Sequence, residues 1–286
     1  MIKLSRIIDA KFPKNFYEGS RKAWERELIE EEIKVRRDSI DKHDFATGRW
    51  KSAKAQLSRE TKQKCAYCES PFAVVAYGDV EHYRPKSKYW WLAYSYENYL
   101  VSCQICNQKF KRDVFPVVNN RIKPPRFRVN SSQTTLNTIA GKLSPNPKNP
   151  ADGMDYATFM NEYFAERPLC INPYYEDPAN YFKYEFNDAA KEVTIIPVSA
   201  NLKAYVAEAE NVYGINRKEL LRMRYVVLFH YRIHRETRDT NSSTSRAYRL
   251  ANKAILTLLE GKSGYSGMIK YYETQASIPL IPESML

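Results

Sequence analysis

A chain of 286 residues with 43% apolar residues, 27% charged residues and only 9 glycines can bury one substantial core plus a small module, which excludes a disordered, fibrous or self-stapled miniature fold. Its 45 Lys and Arg against 33 Asp and Glu give a formal charge of +12, which points to an anionic partner such as nucleic acid or an anionic surface. Five cysteines, four of them in two C-x-x-C pairs, argue against a secreted disulfide framework, and no stretch approaches the roughly 18 to 20 apolar residues of a membrane span. Residues 1–14 hold no apolar signal core either, so a reducing cytoplasm is the expected location and a membrane is not an expected partner.

The charge-rich run from Ser20 to Ile40 lacks Gly and Pro and predicts a helix. Trp50, Ala53 and Leu57 mark the apolar face of a second. Then come Cys65-Ala-Tyr-Cys68 and Cys103-Gln-Ile-Cys106, each able to place two thiolates on one side of a metal, together a tetrahedral set for zinc. The 34 residues between them exceed a zinc-ribbon spacer, so the spacing reads as a zinc site with a functional insertion. A redox dithiol would need a βαβ setting that the pattern lacks. A four-thiolate site is coordinatively closed and structural, which leaves any chemistry to a second metal with oxygen or imidazole ligands. Cys170 stands apart in an apolar stretch and reads as a buried free thiol.

Residues 119–152 are rich in Asn, Ser, Thr and Pro with weak periodicity and predict a basic loop or insertion. Phe182, Tyr184 and Phe186, then Val193 and Ile195 after Asn187-Asp188, alternate with polar residues as a hairpin does. Leu202, Tyr205, Val206, Ala209 and Val212 have helix spacing and end at Gly214. Asn216 with Glu219 reads as a capped start of a helix to about His234, and Ala247, Leu250, Ala251, Ala254 and Leu258 form another, closed by Gly261. His230 and His234 are i,i+4 but lack the Glu of H-E-x-x-H, so they read as helix-surface or core residues. No phosphate-binding G-x-x-x-x-G-K-[ST] segment occurs, Gly261-Lys262-Ser263 lacking the upstream glycine. Any ATP must be bound by a partner.

Between and just after the knuckles lie Asp79-Val80-Glu81-His82-Tyr83-Arg84-Pro85-Lys86, Glu97-Asn98 and Asn107. Here the chain resembles the HNH endonuclease family, whose signature is an acidic residue or His followed by His, a central Asn, and a final His or Asn directly after a C-x-x-C. Glu81, His82, Asn98 and Asn107 take those places, with Glu81 and Asn107 departing from the more frequent Asp or His and His. Lys64 to Glu69, Glu81 to Ser87, Trp91 to Tyr94, Ser102 to Asn107, Phe115-Pro116-Val117, Pro168 to Pro173 and Asp177-Pro178 resemble the PtuB-like HNH nucleases of Septu-type and retron-linked anti-phage systems. The resemblance implies a hairpin and a helix clasping one divalent metal, the ββα-metal fold, a DNA substrate and a separate ATPase subunit.

The chemistry is consistent with that resemblance. His82 can act as general base near neutral pH. Glu81 and Asn107, with Asp79 as a competing carboxylate, offer oxygen ligands suited to Mg²⁺ or Mn²⁺, and Asn98 can fix the hairpin loop through side-chain to backbone bonds. Between Arg84 and Arg128 stand ten basic residues and two acidic ones, from which Lys86, Lys88, Lys109, Lys111, Arg126 and Arg128 are the expected phosphate contacts. Trp90, Trp91, Tyr94 and Tyr96 could stack on bases, although aromatics this dense more often pack a core; Glu166 and Asp177 are expected near the site.

The fold expected is α+β: N-terminal helices over 1–64, a zinc-stapled HNH module over 65–118, a basic loop or insertion over 119–160, and a hairpin with helices over 161–286, the last a candidate docking surface. A tRNA-cleaving toxin and a non-catalytic zinc-bearing nucleic-acid-binding module are the competing functions.

Overall fold

The computed structural model describes residues 1–8, 14–72, 76–275, 278–282 and 284. The first predicted helix is α1 (Arg21–Asp38), which buries Trp24, Leu28 and Ile29 on one face and stops where Ser39 turns left-handed at φ 52°. The second is divided into α2 (Gly48–Lys51) and α3 (Lys54–Glu60), with Ala53 and Leu57 wholly buried at and after the break.

Strands β1 (Asp79–His82) and β2 (Tyr99–Ser102) pair antiparallel, with Glu81 opposite Leu100 and His82 opposite Tyr99. A π-helix over Ile105–Lys111 follows directly from the second cysteine knuckle, completing a ββα unit.

The stretch expected to be loop carries α4 (Gln133–Ala140) and the start of α5 (Tyr156–Glu166). Ser132 accepts from Thr135 N, Asp155 accepts from Thr158 N, and Leu136 and Ala140 are buried. Helix α4 packs on α1; eight residues with two buried positions are too short for periodicity to announce. Strands β3 (Phe182–Asn187) and β4 (Glu192–Pro197) form the predicted hairpin, Tyr184 opposite Ile195 and Phe186 opposite Val193. Four helices follow, α6 (Lys203–Tyr213), α7 (Lys218–Thr240), α8 (Arg246–Leu259) and α9 (Ser266–Glu273), the last unanticipated.

Asn216 does not cap α7, which begins after Arg217. Its side chain instead bonds both the N–H and the carbonyl of Ile195 at 2.8 and 2.9 Å, tying the helix entry to β4. Gly214 ends α6 at φ +57°, and a Cβ there would lie 2.4 Å from the ring of Phe110 in the π-helix. Glycine is therefore required twice, by backbone conformation and by the close approach. Buried side chains from the N-terminal segment, the hairpin, the central helices and the C-terminal helices join in one continuous cluster.

Candidate metal and catalytic centre

The four knuckle cysteines bring their sulfurs within 4.8 Å of one another, the described residues' cluster of three or more His, Cys, Asp or Glu groups close enough to share an ion. Cys68 Sγ and Cys103 Sγ are 3.9 Å apart, close to the ~3.8 Å edge of a tetrahedron with zinc–sulfur bonds of about 2.3 Å. Hydrogen bonds from the other three thiols hold Cys68 well below the usual thiol range, whereas burial pushes Cys65 up. Arg217, at the entry to α7, donates to Cys106 Sγ at 3.6 Å and to Cys68 Sγ at 3.9 Å, placing positive charge where thiolates would gather. Tyr67, inside the first knuckle, stacks on Tyr213 at 3.9 Å. The donor set fits zinc.

His82 is almost wholly buried at the end of β1. Its Nε2 lies 3.0 Å from the carbonyl oxygen of Ala93, and since a carbonyl only accepts, the ring carries its proton on Nε2 and leaves the Nδ1 lone pair free. Trp50 and Tyr99 stand edge-on to the ring at 4.9 and 5.1 Å. Tyr99 also donates to the same Ala93 carbonyl at 2.6 Å. Burial holds the imidazole down at about 3, so the ring is neutral.

Asn98 Oδ1 accepts from Arg84 N at 2.8 Å, and its Nδ2 donates to Arg84 O at 2.9 Å and Leu92 O at 3.3 Å. The loop is fastened a second time from α5, where buried Glu166 accepts from Arg84 Nε at 2.8 Å and from the Tyr89 hydroxyl. Arg84 therefore contributes its charge to the interior and not to the basic surface.

Glu81 is buried, and burial pushes its carboxyl above the usual range while Lys111 opposes the shift. Its Oε1 is ion-paired to the Lys111 ammonium. Asp79 lies on the same strand face, half-buried and hydrogen-bonded by Gln108 Nε2 at 2.8 Å. Asn107 is half-buried on the π-helix, its backbone N–H bonded to Cys103 O. A buried carboxylate on β1 and an amide side chain on the π-helix that packs against it are the kind of oxygen donors that suit a hard divalent ion.

Lys111 departs from expectation. Its side chain is wholly buried, ion-paired to Glu81 and donating to His82 O at 2.9 Å, so it is not a surface arm toward phosphate. The reason is local: Glu81 is desolvated and requires a counter-charge, and the π-helix brings residue 111 against β1. Lys88, Lys109, Arg126 and Arg128 are exposed; Lys86 is half-buried, its ammonium 5.6 Å from the centre of the Trp50 ring. Trp90, Trp91, Tyr94 and Tyr96 are core residues. Asp177 is exposed and caps a short turn through Ala179 N. His230 is exposed and His234 half-buried on α7, and Cys170 is a buried free thiol.

Two contributors escaped the sequence reading. Trp50 was legible only as an apolar helix position, and Arg217 lies 111 residues from the cysteine it bonds, a distance that no local pattern reports.

The HNH endonuclease family model matches residues 65–112, a stretch that spans both knuckles and the hairpin. Over 194 residues the chain is 28% identical to the Septu protein PtuB of Bacillus mycoides (strain KBAB4), a match covering 63% of this chain and 52% of that protein. The chain thus spans about half the length of that relative. No solved structure matches, and no helix among the described residues is long and apolar enough to cross a membrane.

Proposed function

We propose that this chain is a metal-dependent HNH endonuclease that hydrolyses phosphodiester bonds of DNA as the nuclease of a cytoplasmic anti-phage defence system, working with a separate ATPase subunit. The observation that carries the chemistry is the Nε2–H bond of His82 to Ala93 O, which leaves a neutral imidazole with Nδ1 free to take a proton from water. Asn98 holds the loop that positions His82. Glu81 and Asn107 would hold Mg²⁺ or Mn²⁺, which supplies neutralisation of the charge that grows on the phosphate. The cysteine cluster would hold a structural zinc, and exposed Lys88, Lys109, Arg126 and Arg128, with Lys86 beside Trp50, would bind flanking phosphates. The defence assignment and the ATPase rest on the likeness to the Septu protein PtuB.

The test is side-by-side cleavage of DNA and RNA with Mg²⁺, with the ATPase subunit present if the isolated chain is silent. His82→Ala is expected to lose about 10² to 10⁴ in rate, with zinc content and DNA affinity unchanged. Full cleavage by that variant would overturn the mechanism, and cleavage of RNA alone would overturn the substrate.

A further inference from the structure

We propose that Lys111 is a built-in counter-cation for Glu81, which holds affinity for the divalent ion down until an anionic phosphate shares the site. The inference rests on the reading of Glu81 as a metal ligand and goes beyond it, to when the ion binds.

The Lys111 ammonium has no exposure to solvent, is ion-paired to Glu81, and is tethered to His82 O at 2.9 Å. Its helix is tied to the knuckle at its start and closes on itself at its end. Asn107 N bonds Cys103 O of the knuckle, and Arg112 N bonds Asn107 O, closing a turn one residue wider than an α-helical one. Lys111 therefore cannot leave the site by a simple rotamer change without breaking the bond to His82 O.

The consequence is electrostatic. Glu81 and Lys111 together are already neutral. A divalent ion on Glu81 and Asn107 would add two positive charges beside a fixed third, in a place where burial weakens screening. A phosphodiester oxygen bound beside the ion supplies the missing negative charge. Ion and nucleic acid then bind cooperatively, and by linkage each strengthens the other equally. A free enzyme governed this way holds little divalent ion, and its loading follows substrate.

The experiment titrates Mn²⁺ into the full zinc-loaded chain without nucleic acid, reading free Mn²⁺ by electron paramagnetic resonance. Lys111→Gln and Lys111→Met are expected to bind Mn²⁺ at least about tenfold more tightly than wild type, whereas Lys111→Arg, which keeps the charge, stays near wild type. Gln retains an amide donor for His82 O, so it carries the test if the Met variant fails to fold, and retained zinc reports folding. Neutral variants that bind Mn²⁺ no more tightly than wild type would overturn the proposal. Glu81→Gln in the Lys111→Gln background separates the two ideas. Tight Mn²⁺ binding that survives it removes Glu81 as ligand and the proposal with it, while unchanged affinity on lysine removal together with loss of binding in Glu81→Gln removes only the role of Lys111.

Discussion

Asn98 commits both atoms of its amide to main chain, with Arg84 N and O engaged reciprocally and Leu92 O beyond them. Each of those backbone groups is buried with the hairpin loop, and a buried donor or acceptor left unpaired costs about 1–3 kcal/mol. Asn98→Ala is therefore expected to lose about 2–4 kcal/mol of stability, read as a lower urea midpoint with unchanged slope. Asn98→Asp should be nearly as damaging, because a carboxylate would face two carbonyl oxygens that require a donor; an Asp variant as stable as wild type would contradict this account. The motif residues at this scale were legible because an HNH pattern is a local spacing. The position of Lys111 was not, since within a basic run nothing distinguishes a solvated lysine from one that a buried carboxylate draws inward.

Between elements, the contact of α1 with α4 is closed by a polar cluster in which Glu25 meets Arg21 at 2.7 Å, accepts from Ser144, and lies near Asp152, itself paired with Arg21 at 3.4 Å. Burial pushes the Glu25 carboxyl up to about 7, against the opposing pull of Arg21 and Ser144. The folded chain then keeps a proton there that the unfolded chain releases above its ordinary carboxylate range. Stability from this group is full at pH below about 4.5 and is lost as pH rises through about 7. The loss is on the order of 3 kcal/mol. Thermal melts between pH 5 and 8 should show it as a falling midpoint that Glu25→Gln flattens, and an unchanged slope in that variant would assign the dependence elsewhere. Helix α1 could be read from a charge-rich run free of Gly and Pro, α7 from a start signal at Asn216 that does not in fact cap it, and the β3–β4 hairpin from its alternation. Helices α4 and α9, eight residues each, could not, because their place is set by what they pack on and too few turns exist to show a face.

Across the whole molecule, the cysteine cluster joins segments that the sequence reading had divided. Cys65 and Cys68 precede the hairpin, Cys103 leads into the π-helix and Cys106 lies in it, while Arg217 reaches Cys106 and Cys68 from the entry to α7 and Phe110 closes on Gly214 after α6. Tyr67 and Tyr213 stack across the junction, and Cys106 Sγ lies 3.5 Å from Tyr213 O. Since buried side chains on both sides belong to one cluster, withdrawing the proposed zinc should release both sides together. Binding of a structural zinc is folding free energy in such sites, so the amides of β1, β2, α6 and the first turns of α7 should lose protection in step. Hydrogen–deuterium exchange with and without a strong chelator reads this directly, and Arg217→Ala should lower the chelator concentration required by leaving the thiolates without their positive neighbour. Helices α6 and α7 that kept full protection while the hairpin exchanged freely would show two independent units, and the coupling drawn here from Arg217 and the Tyr67–Tyr213 stack would be wrong.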